Sequence, residues 1–247
     1  MLGIVTGLKS EARILRGLDV RCISIGGKAR SAPDKIARLI EGGVTGLVSF
    51  GIAGALHPAL RTGDVVVADA VMDEAGTTWP GHRAWIDAFV PHTLAVTPAL
   101  RRGPSEGQAR AAEWIPAQGR DDDRWGGKVG VILGLDRLLS TPREKAAAFA
   151  RTGALAIDME SHHVARAAAR HGLPFIAIRA ISDQANETLP ACFADFVDAD
   201  GGTKLSAVLA ALIFRRVTLR ELIATGRASR RAHQALFGCR GALAGLG

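Results

Sequence analysis

The stretch from Leu155 to Asp183, LAIDMESHHVARAAARHGLPFIAIRAISD, constrains the fold of this chain more than any other. A short apolar run leads into Asp158 and Glu160 around Met159. An alanine-rich, arginine-bearing pattern of helical period follows. It stops at His171-Gly172, where glycine can take the left-handed backbone that closes a helix. Beyond Leu173-Pro174, Phe175 to Ile178 is an unbroken apolar run of the kind found in strands buried on both faces. The segment predicts strand, helix, strand, with acidic residues after each strand. A right-handed parallel crossover would bring Glu160 and Asp183 to one sheet edge, outside the carboxyl ends of strands where open α/β sheets hold ligands.

The rest of the chain repeats this alternation. Leu2 to Thr6 reads as a buried strand with Gly7 as a tight exit and Ser10 as a cap for a helix starting near Glu11. Arg21 to Ile25 reads as a second strand, and residues 31–41 as a helix with Ile36, Leu39 and Ile40 on one side. Leu47 to Phe50 runs into Gly51-Ile52-Ala53-Gly54-Ala55, small residues that let backbone N–H groups approach a ligand. Thr62-Gly63-Asp64 is a turn that Asp64 closes, ahead of a strand at Val65 to Ala68. Val129 to Leu133 and Pro142 to Arg151 read as a strand and a helix. Residues 72–127, with four tryptophans among prolines and glycines, predict loops and one or two short helices. The expected class is α/β, three-layer, with a mixed, mostly parallel central sheet flanked by helices.

At 247 residues, 48% of them hydrophobic, the chain can form one large core, and a single domain over 1–247 is expected. Residues 205–247 form its C-terminal basic helical segment, where Arg215, Arg216, Arg220, Arg227, Arg230 and Arg231 alternate with leucines and isoleucines. Such a helix either covers the sheet with its basic side wet or lies on an anionic membrane surface. Leu205 to Phe214 is ten residues, against roughly 20 for a membrane span. Any lipid contact is therefore expected to be peripheral. No signal peptide opens the chain, and Cys22, Cys192 and Cys239 give neither a disulfide framework nor a metal spacing, so a reduced cytoplasm is expected. The net charge of +7 raises nucleic acid as a partner, but there is no tyrosine and no cluster of stacking aromatics. Asp121-Asp122-Asp123 reads as a solvated loop, and His162 and His163, about 100° apart on a helix, as structural; no metal is expected.

Asp158-Met159-Glu160 followed by Arg179-Ala180-Ile181-Ser182-Asp183 resembles the nucleoside phosphorylase and nucleosidase superfamily, in particular its methylthioadenosine/S-adenosylhomocysteine nucleosidase branch. The similarity runs from Gly3-Ile4-Val5-Thr6-Gly7 with Glu11, through residues 50–55 and 62–67, to Phe193 and Phe196. Lys145 with Thr152-Gly153-Ala154 ahead of Asp158-Met159-Glu160-Ser161 is most similar to the hopanoid-associated phosphorylase group, whose proposed substrate is adenosylhopane.

The resemblance implies cleavage of an N-glycosidic bond, with the leaving base taking the bond's electrons while the sugar becomes oxocarbenium-like. Asp183 would protonate that base and Ser182 would orient it. Glu160 would accept from the ribose hydroxyls and offset the developing positive charge, with Met159 packed under the sugar. Glu11, after a one-residue shift of the local alignment, would polarise an attacking water. Ile52 and Ala53 would border the ribose and the nucleophile, Ile52 standing where relatives commonly carry serine. Leu138 and Leu139 would hold the purine without a stacking ring. Phe193 would face the 5′ side of the sugar or pack on the core. No cofactor is implied; water and phosphate both stay open as nucleophile, and a homodimer or larger oligomer is expected. Alternatives are a methylthioadenosine/S-adenosylhomocysteine nucleosidase, a purine nucleoside phosphorylase, and a non-catalytic nucleoside-binding module.

Overall fold

The computed structural model describes residues 1–26, 32–94, 128–190, 192, 196, 198, 200–204, 207–208, 210–211 and 217–246. Its strands are β1 (Leu2–Thr6), β2 (Val20–Ser24), β3 (Gly46–Ala55), β4 (Val65–Met72), β5 (Thr78–Pro80), β6 (Lys128–Gly134), β7 (Ala156–Asp158) and β8 (Phe175–Asp183). Its α-helices are α1 (Lys9–Ile14), α2 (Ala32–Glu41), α3 (Arg83–Leu94), α4 (Pro142–Thr152), α5 (Ser161–His171) and α6 (Leu219–Cys239), which runs into a 3-10 helix at Arg240–Leu246.

The sheet is mixed and mostly parallel, as the sequence predicts. β1 pairs in parallel with β2 and β3, β3 with β8, β4 with β6, and β6 with β7. The antiparallel pairs are β3 with β7, β4 with β8 and β4 with β5. Because β8 joins β3 to β4, and β7 joins β6 back to β3, the strands β3–β8–β4–β6–β7 close into a belt, with β1 and β2 extending from β3.

This corrects one expectation. β7 and β8 are not a parallel crossover pair: the three-residue β7 runs antiparallel to the tip of β3, at Gly54 and Ala55, while β8 runs parallel along its length. Successive residues of a strand face opposite ways, and the core divides accordingly. Val5, Leu47 and Ala53 pack with α2 (Ile36, Leu39) and α5 (Val164, Ala165, Ala168). Ile4, Val48 and Phe50 pack with α1 (Ile14), α3 (Ile86, Phe89) and α6 (Ala232, Ala235, Leu236, Cys239). Helices therefore cover both faces.

Local signals account for several boundaries. Thr141 caps α4 by accepting from the Glu144 N–H, and Glu144 returns the bond to the Thr141 N–H. Gly153 and Gly172 end α4 and α5 at φ 65° and 63°, in the left-handed region. Ser10 does not cap α1; Leu8 is the N-cap, and the Ser10 hydroxyl lies 3.0 Å from His233 Nε2 on α6. Asp64 closes its turn as expected, accepting from the Arg61 N–H at 2.6 Å and pairing with Lys128. Among the described residues no helix is long and apolar enough to cross a membrane.

Candidate active site

Glu11, Glu160 and Asp183 gather around the second half of β3. Glu11 stands in the first turn of α1, where a carboxylate complements the helix dipole, and is buried. Its Oε1 accepts from the Ile52 N–H at 2.9 Å and its Oε2 from the Leu8 N–H at 2.8 Å. A Cβ at Gly51 would sit 2.7 Å from Glu11 Oε1, so glycine there makes room for the carboxylate. Gly7 does the same for Glu160, whose Oε1 would lie 2.6 Å from a Cβ at that position. Gly54 faces Asp183, with Oδ2 2.9 Å from its would-be Cβ. Gly51 and Gly54 are about 10 Å apart along β3, at roughly 3.3 Å per residue, a span suited to a nucleoside.

The electrostatics follow from burial. Desolvation raises the Glu11 carboxyl above its ordinary value, opposed by the backbone N–H groups of Leu8 and Ile52. Glu160 is pushed up to about 8, first by burial and then by the charge of Asp158, while Arg179 pulls the other way. Arg179, on β8, is buried and forms an ion pair with Asp158 (Nε to Oδ2, 2.5 Å). It also donates to Ser49 Oγ at 2.6 Å and Ser161 Oγ at 3.0 Å. The Asp158 carboxylate in turn accepts from the Ser161 hydroxyl and from its N–H. This cation, beneath the two glutamates, is the element that sequence reasoning left without a role. An arginine inside the apolar run FIAIRAIS was the available signal, because a buried charge requires a partner.

Asp183 is buried at the end of β8. Lys145 Nζ donates to its Oδ2 at 2.6 Å, and the Ser182 hydroxyl lies 2.8 Å from Oδ1 and 3.2 Å from the Ala53 carbonyl oxygen. Ile52, Met159 and Leu138 are half-buried, whereas Ala53 and Leu139 are buried. Leu139 packs with Leu56, Leu133 and Leu135, which makes its side chain part of the core. Phe193 lies outside the described residues.

His162 and His163 do not point apart as their helical spacing predicts. Both place Nε2 on Asp136 Oδ1, at 3.0 and 2.8 Å, with ring centroids 4.0 Å apart. Two imidazoles and a carboxylate within 4.8 Å are a metal-ligand set by type. A metal-bound imidazole, however, normally donates its other N–H, and the buried His162 Nδ1 has no hydrogen-bond partner among the described residues. The geometry fits two N–H donors sharing one oxygen.

The structure thus sets Glu11 against Gly51 in the middle of β3, Asp183 against Gly54 near its end and Glu160 against Gly7, within a nucleoside phosphorylase-like α/β fold. The chain belongs to the phosphorylase superfamily, whose family model matches residues 14–214. It is 26% identical to the 5′-methylthioadenosine/S-adenosylhomocysteine nucleosidase of Geobacillus thermodenitrificans over 213 residues, 85% of each chain. It is 32% identical to the futalosine hydrolase of Streptomyces coelicolor over 172 residues, 66% of each. Among solved structures, the S-adenosylhomocysteine nucleosidase of Streptococcus pyogenes in complex with 5-methylthiotubericidin superposes with a TM-score of 0.63 at 18% identity, covering all of this chain and 97% of that one. The futalosine hydrolase of Helicobacter pylori gives 0.60 at 15%, covering 96% of each. These structures share the fold, and the expectation of an N-glycosidic enzyme agrees with the relatives.

Proposed function

We propose that this chain hydrolyses the N-glycosidic bond of a 5′-substituted adenosine, releasing adenine, and that its substrate carries an apolar 5′ group, as adenosylhopane does. One observation carries the reading: Glu11 is buried against Gly51 and Asp183 against Gly54 of the same strand, while the half-buried Glu160 stands against Gly7 at the end of β1. Asp183 protonates the departing base, worth about 10²- to 10⁴-fold for general acid catalysis. Glu160 accepts from the ribose hydroxyls. Glu11, held by two backbone N–H groups and raised by burial, takes the proton of the attacking water. Met159 supports the sugar, and Leu138 forms the purine wall, with the backbone of Leu139 beside the base.

Water is favoured over phosphate as nucleophile because the Ile52 N–H, a backbone donor after Gly51, is already bonded to Glu11. The lipid-linked substrate draws support from the apolar Ile52 and Leu138 and from the basic helix α6. The second reading, a methylthioadenosine/S-adenosylhomocysteine nucleosidase, is favoured by the relative that matches 85% of the chain.

The test is free adenine measured from methylthioadenosine and from adenosylhopane, with and without phosphate. Phosphate-independent release from adenosylhopane alone supports the proposal, and release from methylthioadenosine supports the second reading. Asp183→Asn should lower adenine release by roughly 10²- to 10⁴-fold with the circular dichroism spectrum unchanged. Full activity in that variant would remove the assigned acid.

A further inference from the structure

Lys145 is the one cation in contact with the proposed acid, among the described residues, and the chemistry described so far gives it no task. Its side chain is 0% exposed. Its three ammonium protons are matched by three acceptors: Asp183 Oδ2 at 2.6 Å, the Gln184 carbonyl oxygen at 2.8 Å and the Glu187 carbonyl oxygen at 3.0 Å. It reaches them from α4, whose Thr141–Glu144 capping box fixes the start of the helix at Pro142, three residues before Lys145. A buried ammonium is costly unless it is both paired and fully hydrogen-bonded, and this one is. Glutamine at the same place could satisfy carbonyls and bring no charge, so the cation needs a reason.

The geometry points to Lys145 as the positioning residue of the acid, an assignment that rests on the glycosidase reading above. As the C1′–N9 bond breaks, its electron pair goes to the purine, the Asp183 carboxyl proton passes to the purine, and a full negative charge is left on Asp183. That charge forms 2.6 Å from the Lys145 ammonium. The interaction is stronger after proton transfer than before it, which is the condition for lowering the barrier rather than merely binding substrate. The same ammonium ties the carbonyls of Gln184 and Glu187, so the loop leaving the acid cannot swing Asp183 away from the base.

A role exercised through the leaving group is distinguishable from a role in holding the fold together. Adenine needs a proton to depart, whereas 4-nitrophenolate leaves without one. The experiment compares wild type, Lys145→Gln and Asp183→Asn on a 5′-alkyl adenosine and on a 4-nitrophenyl β-D-ribofuranoside bearing the same 5′ group. In Lys145→Gln, kcat for adenine release should fall by roughly 10- to 100-fold, less than the roughly 10²- to 10⁴-fold that the acid itself contributes. KM should change little, the aryl riboside should be cleaved nearly as fast as by wild type, and Asp183→Asn should show a larger loss with the same selectivity for adenine release. If the glutamine variant does not fold, Lys145→Met, which fills the site with an unbranched chain, takes its place.

An equal loss on both substrates would reduce Lys145 to a structural residue and overturn the inference. So would faster adenine release, since the cation would then be holding the proton back. If wild type cleaves neither substrate, the glycosidase reading fails and this one with it. If wild type cleaves both and the selective loss is missing, only Lys145 is reassigned.

Discussion

Glu160 puts the thermodynamics of the site within reach of a titration. Its carboxyl is raised from 4.5 to about 8, so the folded protein binds this proton more tightly than the unfolded chain does. The stability it confers is fully present below about pH 4.5 and is lost as pH rises through about 8. The wild type should therefore melt at a lower temperature at pH 8.5 than at pH 5. For each 1 kcal/mol the drop is about 2–4 °C in a chain of this size. Glu160→Gln should remove most of that dependence, and a flat difference between the two proteins across this range would contradict it. Ribose hydroxyls supply donors that favour the carboxylate, so nucleoside binding near pH 7 should release a proton. Calorimetry in buffers of different ionisation enthalpy would detect the release in wild type and not in Glu160→Gln.

At the scale of elements, β3 carries the site through what it leaves out. Gly51 lies in ordinary strand backbone, so alanine meets no conformational penalty there, yet its Cβ would fall within 2.9 Å of both Glu11 oxygens. Gly51→Ala should thus displace the Glu11 carboxylate and cut kcat/KM by about 100-fold or more while the protein stays folded. Retained activity would show that Glu11 need not occupy this place.

The same elements show what could be read in advance. The strands, α4, α5 and the left-handed glycine after α5 follow from apolar runs, helical period and punctuation, and the family resemblance points to Glu11, Glu160 and Asp183 as candidates. The direction of β7 did not follow, because three residues carry no periodicity and pairing partners are set by tertiary contact. Nor did the convergence of His162 and His163 on Asp136, since ring direction depends on side-chain torsions that helical spacing does not specify. Lys145 was visible only as part of a motif. Its pairing with Asp183 joins residues 38 apart in sequence.

At the scale of the whole molecule, α6 presents two characters. Its C-terminal half seals the sheet with Ala232, Ala235, Leu236 and Cys239, whereas Leu219, Ile223 and Phe237 are exposed. Arg220, Arg227, Arg230 and Arg231 are exposed as well. A helix of this kind is attracted to an anionic surface at about 1 kcal/mol per basic residue. The peripheral-membrane reading predicts co-flotation with vesicles rich in anionic phospholipid. Flotation should weaken with added salt and be lost on replacing Arg227, Arg230 and Arg231 with glutamine. Equal recovery of wild type and variant would leave α6 as a wet cover for the sheet.

The closed belt of β3, β8, β4, β6 and β7 has a consequence for how the protein fails. A strand inside a ring has neighbours on both sides and no end from which to peel, so the segment ending in Asp183 cannot fray ahead of its surroundings. Its amides should be among the slowest to exchange with deuterium. Under rising denaturant the chemistry should persist until the molecule as a whole gives way.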